Sequence, residues 1–466
     1  MEEKKITQEQ ANAAQQERPR ENKMGTMPVK KLLISMALPM MISMLVQALY
    51  NVVDSIFVAR IEEDALTAVT LAFPLQNLMI AVGGGIGVGV NALLSRSLGE
   101  KRFDQANDAA NTGLFLTFLH YILFLLIAIF AARPFIRSQT ADPRIMEYGV
   151  TYLTIVCGAS LGLFYQMMFE RLLQSTGLTV YSMISQGTGA IINIIMDPIM
   201  IFGLFGFPRL GVAGAAWATV LGQCVAAILG LVLNVKRNRE ITISLKEILH
   251  PNFANIRNIY AIGIPSCLMM AIGSFMSYMM NRILITFSTT ATAVFGAYFK
   301  LQSFFFMPVF GMNNAVTPIV AYNYGARNRD RVLGTVKFAL KLAVCIMLCG
   351  TLAFELIPQV LLGFFNASGD MLSIGVPALR IIGVHFPIAA CCIILGSTFQ
   401  AFGKGVYSLI TSVFRQILVL IPVAWLLAKL GNVTYVWFSF PIAELMSLTV
   451  TLILFRKLYR EVIAKL

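Results

Sequence analysis

Charge is what this sequence has least of. Asp, Glu, Lys and Arg make up 13% of its 466 residues, about half the share found in soluble domains. So little charge cannot cover a water-facing surface, which excludes an ordinary soluble globular protein. Histidine occurs three times, at His120, His250 and His385, and forms no cluster. The seven cysteines (Cys157, Cys224, Cys267, Cys345, Cys349, Cys391 and Cys392) all fall inside apolar segments. They lack both disulfide-framework and zinc spacing and are expected to pack. The glycine run Gly83 to Gly89 follows no strand and precedes no Lys-Ser/Thr pair, so it is not a phosphate loop. Glycines four apart there suit close helix packing. No Walker motif, nucleophile elbow or metal-ligand motif is present, so neither ATP use nor enzymatic chemistry is expected, and no cofactor. No apolar h-region opens the chain, so no cleavable signal peptide is expected.

Apolar residues are abundant, at 57%. They fall in twelve blocks near 32–57, 66–94, 108–131, 148–170, 180–202, 212–235, 258–286, 292–322, 334–357, 375–400, 406–428 and 434–455. Each is about the length needed to cross a bilayer. The expected fold is therefore an all-α polytopic membrane protein of twelve transmembrane helices. Residues 1–31 are expected to form a disordered cytoplasmic tail, 32–235 a first six-helix bundle, 236–257 a cytoplasmic linker, 258–457 a second bundle and 458–466 a cytoplasmic tail. The net charge of +13 needs no nucleic-acid partner, because positive residues gather in cytoplasmic loops. With the N-terminus inside, 24 of the 36 Lys and Arg residues fall in inside segments and six in outside loops. Both termini are thus expected in the cytoplasm.

The two halves repeat. A shift of 226 pairs Pro39 with Pro265, Gln76 with Gln302, Gly85 with Gly311, Gly99 with Gly325 and Asp104 with Asp330. It also aligns Val180-Tyr181-Ser182 with Val406-Tyr407-Ser408. Each half has an even number of helices, so the repeats are parallel and enclose a central cavity. Rocking one half against the other would expose that cavity to alternate sides, as in secondary transporters.

Charges inside a bilayer cost about 2.5–3.5 kcal/mol each on insertion scales, so those that remain need a reason. Gln47, Tyr50, Asn51 and Asp54 share one face of the first helix, and Gln186, Asn193 and Asp197 one face of the fifth. Pro198 follows Asp197 and frees a backbone carbonyl that can coordinate a cation. Asp54 and Asp197 have no acidic counterparts in the second half, where the shift lands on Met280 and Val423. An acid pair confined to one half suggests a role confined to that half, namely binding the coupling ion. That ion would be a proton or sodium, with the two carboxyl groups titrating as one unit. Glu170 is expected to pair locally with Arg171, and His385 to be a satisfied interior histidine. Arg282 and Lys300 are candidates for balancing charge in the second bundle. Glu444 stands mid-segment in the last helix.

The chain resembles the multidrug and toxic compound extrusion (MATE) family over nearly its whole length. The carrying segments are ALPMMISMLVQALYNVVDSIFVAR (37–60), GVGVNALLSRSLGEKR (87–102), NIIMDPIMIFG (193–203), GVAGAAWATVLG (211–222) and MNNAVTPIVAYNYGARN (312–328). The likeness is strongest to the DinF-like, MepA-like bacterial branch. It implies an ion site in the first bundle made of Asp54 and Asp197, with Gln47, Tyr50, Asn193 and Thr219 near it; the same two acids would bind sodium if sodium is the coupling ion. The substrate cavity is expected to include Gln47, Tyr50, Asn51, Gln186 and Asn314, the last standing where some relatives carry Glu. The function implied is efflux of small, mainly cationic organic drugs in exchange for protons or sodium. The setting is the inner membrane of a prokaryote, with the lipid bilayer as the other partner and the protein a monomer. The alternative is a flippase for a lipid-linked or amphipathic precursor, kept open by Arg282, Lys300, Arg380 and Arg415. A non-transporting receptor or scaffold is disfavoured by the lack of any sizeable soluble domain.

Overall fold

The computed structural model describes residues 21–365, 367 and 369–466, without the side chains of Ala59 and Glu63. Its membrane-length helices are α1 (Val29–Ala59), α2 (Glu63–Gly99), α3 (Phe103–Phe130), α4 (Pro143–Gly158 and Leu161–Ser175), α5 (Thr179–Phe202) and α6 (Val212–Arg237) in the first bundle. The second holds α7 (Phe253–Leu284), α8 (Thr289–Gly325), α9 (Arg329–Leu356), α10 (Gly369–Gly383 and Phe386–Ala401), α11 (Gly405–Ala428) and α12 (Ser439–Glu461). Among the described residues ten spans run without a sharp break, and α4 and α10 are bent by 45° and 48°. Counting each bent pair as one span gives the twelve expected. The exposed faces carry Leu, Ile, Val and Phe, as a lipid-facing surface requires.

The repeat extends to details of the backbone. The break in α4 at Ala159-Ser160 and that in α10 at Val384-His385 lie about 226 residues apart. Lys101 and Arg327, also 226 apart, both take a left-handed conformation, with φ of 60° and 55°. One difference lies in α11, where Phe414–Leu420 forms a π-helical segment. Its counterpart in α5 is regular α-helix.

The bundles meet through α1 and α2 of the first and α7 and α8 of the second. Glycines allow this contact. A Cβ on Gly85 would lie 2.7 Å from the Gly263 carbonyl oxygen, one on Gly89 2.3 Å from that of Ile259, and one on Gly311 2.7 Å from that of Met40. The glycine run of α2 is thus a close-packing face. These contacts all lie in the half of the molecule nearest Glu21 and Leu466, here called the terminal end. The buried apolar residues divide accordingly. One cluster joins the second bundle to Leu32, Met36, Val90, Leu114 and Leu172 of the first. A separate cluster, with Val58, Ala72, Met79, Phe124 and Tyr152, fills the far half of the first bundle alone. The bundles are therefore packed together mainly at the terminal end, while toward the far end the first bundle's core is separate from the second and Asn77 of α2 donates to Ser274 of α7 at 3.1 Å; this division between the bundles is here called the cleft.

Two tail assignments change. Residues 1–20 lie outside the described residues, but 21–31 are ordered. Lys23–Thr26 is a short helix capped by Asn22, Met24 is fully buried, and α1 begins at Val29. At the other end α12 continues to Glu461, and Leu458 and Ile463 are buried, so 458–466 is not a free tail. The polar linker is shorter than expected, between Arg237 and Phe253. It is tied to α3 by Asn111, which donates to the Thr242 carbonyl (3.0 Å) and to Glu247 (2.6 Å). Cys345 and Cys349 are exposed on α9 rather than packed.

Candidate functional site

Helices α1 and α5 run parallel, and their polar faces meet with a constant offset of 143 positions. Ser43 donates to Gln186, and Asp54 stands beside Asp197. Gln186 in turn donates to Gln47 Oε1 at 3.0 Å. The polar stripe of each helix buries itself against the other, which is how a bilayer-spanning bundle accommodates polar side chains.

At the far end of this ladder the carboxyl groups of Asp54 and Asp197 lie next to each other. Two ionised carboxylates are acceptors only. A hydrogen bond between them would need a proton. Asp197 is completely buried and Asp54 partly so. The Asn193 amide satisfies its neighbours in one orientation only. Its nitrogen then donates to Asp197 Oδ2 (3.1 Å), and its oxygen accepts from the Thr219 backbone N–H (3.0 Å) and hydroxyl (3.2 Å). The Asn and Thr hold one carboxylate oxygen in place, while Oδ1 of each Asp is buried without a partner among the described residues. Those free lone pairs are what a proton or small cation would use. Among the described residues no cluster of three His, Cys, Asp or Glu side chains is present.

Asp54, Asp197, Asn193 and Thr219 thus come together, and Tyr50 lies within electrostatic range of both acids. Gln47 and Gln186 sit deeper on the same ladder. Asn51 is exposed on α1. Asn314 is far from the acids, at the base of the cleft, where it accepts from Arg171 Nη1 at 2.9 Å. The expected Glu170–Arg171 ion pair does not form. Glu170 accepts from Gln166 (3.0 Å), and Arg171 reaches Gln174 (3.0 Å) and crosses to α8. On a helix, adjacent residues point about 100° apart, which separates this i, i+1 pair.

Sequence patterning leaves out two residues of the site. Tyr152 of α4 is buried near both acids, and its hydroxyl faces Gln76 Oε1 at 3.5 Å. Gln76 carries a signal, its repeat partner Gln302, which accepts from Tyr298 at 2.6 Å in the second bundle. Tyr152 carries none, since the shift pairs it with Ala378.

The second bundle holds a partly buried charge pair of its own. Arg415, in the π-helical segment, meets Glu444 of α12 at 3.3 Å. His385, at the break of α10, bonds through Nδ1 to the Ile382 carbonyl and stacks on Phe440. Arg282, Lys300 and Arg380 are exposed and do not join this pair.

The model of the MatE family matches residues 39–199 and again 265–426, two copies whose starts are 226 apart. The multidrug export protein MepA of Staphylococcus haemolyticus (strain JCSC1435) is 25% identical over 416 residues, covering 89% of this chain and 90% of that protein. MepA of Staphylococcus aureus (strain MSSA476) is 25% identical over 419 residues, 90% and 91% of the two chains. Among solved structures, one described as an outward-facing conformation of a multidrug resistance MATE family transporter has a TM-score of 0.90 at 25% identity, covering 96% of this chain and 99% of that one. A MOP superfamily transporter from Pyrococcus furiosus, described as having a binding pocket of reversed polarity, has a TM-score of 0.87 at 26% identity, covering 94% and 98%.

Proposed function

The chain belongs to the MATE family of transporters, and from that premise we propose that it exports small organic compounds, mainly cations, by exchange with protons taken up at Asp54 and Asp197. The observation that carries this reading is the juxtaposition of those two carboxyl groups between α1 and α5, with Asn193 and Thr219 holding Asp197, inside the first bundle. Sodium is the alternative coupling ion, since carboxylate and amide oxygens suit it as well. The likeness to MepA from two staphylococci supports a multidrug role, and the likeness to an outward-facing structure supports reading the cleft as the outward-open state.

The coupling works through the pair's proton count. With both acids ionised, mutual repulsion opposes their contact, and a cation or proton between them removes it. Each protonation state therefore favours a different approach of α1 to α5. Because α1 also packs on α8 of the second bundle, that choice biases the relation between bundles. Exchange of one proton for one monovalent cation moves no net charge. The pH difference alone then drives it, by about 1.4 kcal/mol or tenfold per unit. A second proton adds the membrane potential, about 2.3 kcal/mol per 100 mV. The distribution of basic residues supports a prokaryotic inner-membrane location with both termini in the cytoplasm, and the protein acts as a monomer.

The test is ethidium movement in liposomes under an imposed pH gradient without sodium, comparing wild type with Asp197→Asn. Uphill movement by wild type that the variant loses is the expected result. Movement that ignores the pH gradient but follows a sodium gradient replaces the proton by sodium. Movement that follows neither removes ion-coupled drug export.

A further inference from the structure

The segment just before α1 touches both bundles at the sealed end. On the first-bundle side, Asn22 Nδ2 donates to the Thr176 carbonyl after α4 and to Glu240 Oε1 after α6, both at 3.0 Å. Glu21 lies 3.9 Å from Lys101. On the second-bundle side, the Met24 carbonyl accepts from Asn323 Nδ2 of α8 (3.0 Å) and from Arg331 Nη2 of α9 (2.8 Å). The Met27 carbonyl accepts from Arg331 at 2.7 Å. Arg331 is held in aim by Asn323 Oδ1 at 3.0 Å. Gly25 lies against the ring of Tyr322, where a Cβ would approach Cε1 to 3.0 Å, and the Met24 side chain is fully buried.

The chemistry of these contacts is unusual for a segment outside the spans. Arg331 has no carboxylate in salt-bridge range among the described residues, and its guanidinium spends donors on two backbone carbonyls of and just after a four-residue helix. A helix so short leaves most of its carbonyls without intrahelical partners; that of Lys23 accepts from the Met27 N–H, and the second bundle supplies donors to those of Met24 and Met27. The segment has no stability of its own and owes its shape to being gripped from both sides. Opening the terminal end would part Asn22's partners from Arg331's, and one set of bonds must break or the short helix unwind.

We infer that residues 21–27 are a strap that locks the terminal end shut by clasping Arg331 and Asn323 of the second bundle to the first, and that its release is a required step of opening that end. This rests on the alternating-access reading above. It assigns the lock to a segment outside the twelve spans, with Arg331 as the residue that positions it.

The test is double electron–electron resonance on the full chain, with the seven native cysteines replaced. One spin-label pair is at Lys236→Cys and Lys457→Cys on the terminal end, the other at Arg137→Cys and Lys429→Cys on the far end; all four positions are exposed. Wild type is compared with Arg331→Ala and, as a milder release from the other side, Asn22→Ala. The expected result is that each variant raises the ratio of long to short terminal-end distances, at least tenfold for Arg331→Ala, while far-end distances shorten. A merely loosened fold would broaden both pairs without that reciprocal change, and that outcome overturns the strap. A mixture of two states that neither variant alters overturns the strap and leaves alternating access standing. A single unchanging distance in all three proteins, with and without ethidium, overturns both.

Discussion

Gly99 and Gly325 are 226 positions apart, and each lies against the backbone of the other's helix. A Cβ on Gly99 would stand 1.9 Å from the Tyr322 carbonyl oxygen, and one on Gly325 2.2 Å from that of Arg96. Arg96 and Tyr322 are themselves 226 apart. The ends of α2 and α8 thus cross in a two-fold-like contact, each glycine receiving the other helix's carbonyl. Such a contact closes the terminal end only if both positions lack a side chain.

Gly99→Ala and Gly325→Ala should therefore behave alike. Each must push two backbones apart, at a cost of about 1–3 kcal/mol typical of overpacking, and each should lower the thermal midpoint of the purified protein. Both should also raise the share of terminal-end-open molecules in the spin-label measurement. A large effect at one glycine and none at the other would deny that the contact is symmetric.

Asp54 and Asp197 should be non-additive. If they hold a shared proton, removing either carboxylate destroys the unit. Asp54→Asn, Asp197→Asn and the double variant should then lose proton-driven ethidium transport to the same extent, about 100-fold or more. Asn193→Ala should lose less, about tenfold, because it removes one hydrogen bond to a charged group, worth about 1.5 kcal/mol. Losses that multiply in the double variant would mean that the two acids work separately.

The twelve spans, the repeat and the acid pair are all legible in the sequence because each rests on a local or periodic signal: block length, a constant shift of 226, and i, i+4, i+7 spacing. Gly99 and Gly325 can be paired from the sequence, though not what they touch. What escapes has non-local causes. Residues 21–27 read as tail because their polar, Gly-containing composition shows no partner. The partners, Arg331 and Asn323, lie about 300 positions away. Arg171 reads as half of a local pair because Asn314, 143 positions on, cannot be seen from it. The bends in α4 and α10 fall at matching positions, but only α10 has a proline there, Pro387. The π-helical turn at Arg415 has no sequence signature.

Arg415 and Glu444 should be expendable together and not singly. Glu444 has 5% of its side chain exposed and Arg415 28%, so removing Arg415 strands a carboxylate away from water. Arg415→Met alone should cost about 3 kcal/mol or more. The double variant Arg415→Met, Glu444→Gln should recover most of that loss, and it should keep Asp197-dependent transport, since the pair lies in the bundle without the coupling acids. The check is the thermal midpoint and transport of all three variants; a double variant as unstable as the worse single one would assign the pair a structural role beyond mutual neutralisation.

Arg171 and Asn314 form a further tie between the bundles, and strengthening it should slow transport. Asn314→Asp replaces a neutral acceptor by a carboxylate at 2.9 Å from a guanidinium, and an ion pair adds Coulomb attraction to a bond that already has a charged donor. The bond must break each time the terminal end opens. An extra stabilisation of about 1 kcal/mol should then lower turnover about fivefold. Ethidium binding to the cleft-open state should be unchanged, because the closed base is the same in both proteins. Arg171→Met in the same background should remove the slowing, because the introduced carboxylate then has no cation to hold. Turnover measured in liposomes at saturating ethidium separates the two effects. If Asn314→Asp slows transport equally with and without Arg171, the added carboxylate acts on the drug and not on the gate.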